Sequence, residues 1–124
     1  MVSEETLFHY WQDKLELNDW SICFISNVEP EDMAIEDSCG CTSWEESGKT
    51  ALIQILRPDR YGDRIVPFDI EKTIVHELLH IKLSFISSEC DPLQQRVAHQ
   101  IIDELAKALV GARRDHEIKE EAEE

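Results

Sequence analysis

The chain has 124 residues, 42% of them hydrophobic and 31% charged, with four glycines and four prolines. This is a single-domain length with a globular composition, which excludes fibrous, low-complexity and disordered chains. The formal net charge of −15 repels phosphate backbones, so no nucleic-acid partner is expected.

In chain order, Leu7, Phe8, Trp11, Leu15 and Leu17 follow a helical spacing over Glu4 to Leu17, with Ser3 as its cap. Asn18-Asp19 signals a turn, and Trp20 to Val28 is β-rich. Glu29 to Asp37 opens with Glu-Pro-Glu-Asp and reads as an acidic loop. Ser38 to Trp44 forms a short strand around Gly40, Glu45 to Gly48 a turn, and Thr50 to Leu56 a third strand. Pro58 to Pro67 is a loop. Asp69 caps a helix running from Ile70 to about Ile86. Asp91-Pro92 opens another, which ends at Val110 before Gly111. A single domain over residues 1–112 and an acidic, disordered tail over 113–124 follow. The expected fold class is α+β, with a small, mainly antiparallel three-stranded sheet. No apolar run approaches the ~18 residues that cross a bilayer. The N-terminus lacks the basic and apolar pattern of a signal peptide, so a cytoplasmic protein away from membranes is expected. Cys23, Cys39, Cys41 and Cys90 are read as free thiols, because a chain of this size needs no bridges and Cys39-Gly-Cys41 is too short for a zinc knuckle.

The chemistry is carried by His76-Glu77-Leu78-Leu79-His80, an HExxH sequence inside a predicted helix. Residues i and i+4 stand one turn apart on one face, so both imidazoles reach one metal ion. Glu77 is rotated by about 100° from His76 and stands beside the ion, placed to take a proton from water. Chance at this composition produces roughly 0.03 such motifs. The helix is apolar nearly all round except for one stripe, Thr73, His76, Glu77, His80 and Ser84. A buried polar stripe of that make-up needs a partner, and a divalent cation supplies one.

Thr73-Ile-Val-His-Glu-Leu-Leu-His-Ile-Lys-Leu83 resembles the active-site helix of the zincin metallopeptidases. More narrowly, the chain looks like small phage- and prophage-associated metallopeptidases, similar in size to the minigluzincins. Leu17 to Ile22, Gly40 to Trp44, Ala51 to Pro58 and Leu105 to Leu109 fall where that family has similar segments. The resemblance covers roughly Trp11 to Val110, and only HExxH within it is specific. It implies an N-terminal helix, a small twisted sheet, the HExxH helix and a C-terminal helix.

A catalytic zinc takes three protein ligands and leaves one position open. The metzincin spacing would put the third at Ile86, which excludes it. Downstream candidates are Glu89, Asp91, His99, Asp103 and Glu104. Periodicity puts His99 and Glu104 on opposite edges of the apolar stripe of the last helix, so both stay open. The resemblance favours His99, at the position where similar chains carry a glutamate ligand, with Glu104 second. Tyr61, Arg57 and Arg60 are candidates to stabilise an oxyanion. His9 and His116 read as surface residues. The expected function is hydrolysis of a peptide or protein substrate by Zn²⁺ held on His76, His80 and His99, with Glu77 as base. The alternative is a non-catalytic zinc-binding or interaction module for a basic protein partner. The sequence carries no signal for oligomeric state.

Overall fold

A computed structural model describes residues 3–35, 38–62, 67–84 and 91–123. Helix α1 spans Glu4–Lys14, strand β1 Ser21–Val28, β2 Gly40–Glu45 and β3 Thr50–Leu56. Helix α2 spans Ile70–Lys82 and α3 Pro92–Glu123. The expectations for residues 36–37, 63–66 and 85–90, with Cys90 and Glu89 among them, lie outside the described residues.

The helix starts form where the side chains supply caps. Ser3 Oγ accepts from the Thr6 amide, and Asp69 Oδ1 from that of Lys72 at 3.1 Å. Asp91 and Gln94 form a reciprocal capping box, Gln94 N to Asp91 Oδ1 at 2.8 Å and Asp91 N to Gln94 Oε1 at 3.1 Å. Asp91 is thereby a capping residue of α3.

The fold is α+β, but its sheet is mixed rather than mainly antiparallel. The strand order is β1-β3-β2. Strands β2 and β3 pair antiparallel through the turn at 46–49, with Gly40 opposite Ile55 and Glu45 opposite Thr50. Strand β1 runs parallel to β3, Ser21 opposite Thr50. The link after Val28 is too long for a tight hairpin. It carries the chain past the place of β3, so β2 takes the far edge and β3 inserts between the two.

One sheet face is covered. Ala51, Ile53 and Ile55 of β3 alternate onto it and meet Ile74, Val75, Leu78 and Ile81 of α2, all part of one buried cluster. Phe8 and Trp11 bring α1 onto this core, Phe8 stacking on Phe24 at 4.5 Å. Ile102, Ala106 and Val110 bring α3. Helix α2 is therefore wrapped by the sheet on one side and by helices on the other, as its near-continuous apolar surface requires.

One further expectation is corrected. Helix α3 does not stop at Gly111 but runs through it to Glu123. The reason is tertiary: Arg113 and Arg114 find carboxylates on α2, and these contacts outweigh the helix-breaking tendency of one glycine. Cys23, Cys39 and Cys41 are free, as expected.

Candidate metal centre

Helix α2 presents His76 and His80 one turn apart toward α3, and the second turn of α3 presents His99 to them. The Nε2 atoms of His76 and His99 are 3.2 Å apart, and so are those of His80 and His76. All three ligand atoms lie within 4.8 Å of one another. A tetrahedral ion with metal–nitrogen bonds of about 2.0–2.1 Å requires a nitrogen–nitrogen separation of about 3.3 Å. Ring-to-ring hydrogen bonds fit less well. A neutral His76 Nε2 carries either one proton or one lone pair, so it can satisfy one of its two ring contacts and not both. The donor set and its spacing therefore fit a divalent cation that prefers imidazole.

Electrostatics agree with that chemistry. Burial, with His76 and His99 nearby, pushes His80 down to about 4. Burial and His99 also lower His76, against the opposing pull of Asp103. Both rings are thus neutral at pH 7 with a lone pair to donate. On its other side, His76 Nδ1 lies 3.5 Å from Asp103 Oδ1, where a carboxylate orients the ring. Of the remaining third-ligand candidates, Glu104 is exposed and outside the histidine group.

Glu77 stands beside the rings and points under β2. It is only 6% exposed, and burial pushes its carboxyl up to about 7 even though a Thr42 hydrogen bond lowers it. That bond, from Thr42 Oγ1 to Glu77 Oε1, is 2.7 Å long. The inner face of β2 approaches so closely that a Cβ on Gly40 would lie 2.9 Å from Glu77 Oε2.

A cavity of about 320 Å³ opens beside these groups, lined by Gly40, Tyr61, Phe68, Thr73, His76, Glu77 and His99 among others. Tyr61 thus reaches the site. Arg57 and Arg60 do not line it and are engaged with Glu29 at 2.6 and 3.3 Å. His9 and His116 are exposed, as expected. Sequence reasoning missed Gly40 as a spacing residue, Thr42 as the partner of Glu77, and Asp103 as the neighbour of His76. The signal for Asp103 was its separation from His99, four residues or about one turn, on the same face of α3.

Comparison with protein families, curated proteins and solved structures finds no match. What the fold and the site define is an α+β domain with a three-histidine group and a buried carboxyl at one cavity. No helix among the described residues is long and apolar enough to cross a membrane.

Proposed function

We propose that this chain is a zinc-dependent peptidase of the zincin type, with His76, His80 and His99 as metal ligands. The reading is carried by one observation: three imidazole nitrogens converge at ligand spacing while the HExxH glutamate stands buried beside them at an open cavity. When bound, Zn²⁺ polarises a carbonyl as a Lewis acid and lowers the pKa of water.

The chain's own groups do the rest. Glu77, with a carboxyl near neutrality and held by Thr42, takes a proton from water and delivers it to the departing amine nitrogen. Asp103 orients His76. Tyr61 stands at the cavity wall, where a phenol can donate a hydrogen bond to a carbonyl oxygen as it gains charge. Strand β2 pairs with β3 on one side only among the described residues. An extended peptide adds to its free edge, past Gly40 and toward Glu77.

Glu77→Gln tests the reading. It preserves shape and volume and leaves the three histidines untouched. Zinc content should stay at the wild-type level, while hydrolysis of a broad peptide library falls by about 10²-fold or more. Hydrolysis at the wild-type rate in the variant would refute the role of Glu77.

A further inference from the structure

Among the described residues, the most enclosed carboxylate outside the site is Glu71, in the first turn of α2 and 3% exposed. Three side chains from two other elements converge on it. Trp11 of α1 donates from Nε1 at 2.8 Å. Arg113 of α3 grips both oxygens, from Nε at 2.6 Å and Nη2 at 2.8 Å. Arg114 adds Nη2 at 3.2 Å and also holds Asp69, the cap of α2, with two bonds of 2.8 and 2.9 Å.

We propose that Arg113 and Arg114 are positioning residues for the metal centre: docked on Glu71 and Asp69, they set the register of α3 on α2 and thereby hold His99 against His76 and His80. The proposal rests on reading the three histidines as ligands.

The physical argument is one of direction. Helix α3 brings His99 to the site, and its main packing partner is α2. Its buried seam there is Ile102, Ala106 and Val110, a row at i, i+4 and i+8. Apolar contact fixes how far apart two helices lie but is non-directional along such a row. A slide of one turn, about 5.4 Å, would exchange one apolar side chain for the next and carry His99 out of reach. A bidentate guanidinium–carboxylate pair tolerates no such slide, because both bonds must be remade at once. Nearer the histidines, α2 and α3 also meet through Asp103, which lies a loose 3.7 Å from Lys72 and 3.5 Å from His76 Nδ1. The latch stands 14 residues, or about 21 Å, from His99 along a continuous helix, which transmits its placement as a rigid rod.

The test compares the full-length wild type with Arg113→Lys and with Arg113→Lys/Arg114→Ala. Lysine keeps the charge opposite Glu71 but loses the fork, so the carboxylate is not left unpaired and the fold survives. Two quantities are read where circular dichroism shows each protein at least about 95% folded; there, loss of stability alone changes an apparent dissociation constant by only about 5%. The first is the proton–proton contact between the His99 and His76 rings in the metal-free protein, by NMR. The second is the dissociation constant for zinc. The expected result is a weakened ring contact and zinc binding at least about tenfold weaker, larger in the double variant. Ring contacts equal to wild type would overturn the register claim. Altered contacts with zinc affinity within about twofold of wild type would overturn its link to the metal. Wild type that takes up no zinc would end the peptidase reading, while the ring contact would still decide the latch.

Discussion

Gly40 lacks a side chain because Thr73 and Glu77 occupy the space one would need. A Cβ there would lie 2.8 Å from Thr73 Cγ2 and 2.9 Å from Glu77 Oε2. Gly40→Ala must therefore push the Thr73 methyl and the Glu77 side chain aside, at a cost of about 1–3 kcal/mol. The expected outcome is a lower urea midpoint, unchanged zinc content and impaired hydrolysis, since the three histidines are not touched. At this scale the HExxH residues were legible because their spacing is itself a geometry. The partners of Glu77 and Glu71 were not. Thr42 lies 35 residues before Glu77 and Arg113 lies 42 after Glu71. A glutamate in a first helical turn already has a local reason to be there, so nothing in the sequence marks Glu71 as buried.

At the level of elements, strand β3 emerges with the limits its alternation predicts, and the starts of all three helices sit on their capping residues. The parallel pairing of β1 was hidden, because strand order depends on where a connection travels and not on the strands' own residues. The end of α3 was misread for a related reason. Gly111 is a local stop signal, and the carboxylates that extend the helix past it belong to another element. No atom outside its own helix turn comes within 4 Å of a Cβ built at Gly111. Gly111→Ala should therefore raise stability by about 0.5–1 kcal/mol, measured by urea unfolding, because alanine removes the entropic cost of a helical glycine without a clash. Truncation after Ala112 should do the opposite. It removes both guanidinium partners of Glu71 and uncovers its carboxylate to water, a loss of about 1.5–3 kcal/mol in the same assay.

Across the whole molecule, acid should unfold the metal-free protein in two windows. His80 falls to about 4 on burial from an ordinary 6.5, so the unfolded chain binds the extra proton first and stability declines as pH drops below about 6.5. Burial works against the charge of Glu71 and Asp69, but Arg113 and Trp11 for the first, and Arg114 for the second, hold both carboxyls below their ordinary values. Their contribution is complete above the ordinary carboxylate range and disappears as pH falls through the depressed folded values. Urea titrations of wild type and Glu71→Gln should therefore differ at pH 6 and converge as pH falls through the depressed folded value of Glu71. The central claim is that α2 and α3 together build a three-histidine zinc site, and X-ray absorption at the zinc edge of the loaded protein tests it most directly. The account predicts one zinc per chain with three imidazole nitrogens at about 2.0–2.1 Å, and the loss of one imidazole from the first shell in His99→Ala but not in Glu104→Ala. A sulfur ligand at about 2.3 Å, or a first shell that His99→Ala leaves unchanged, would contradict it.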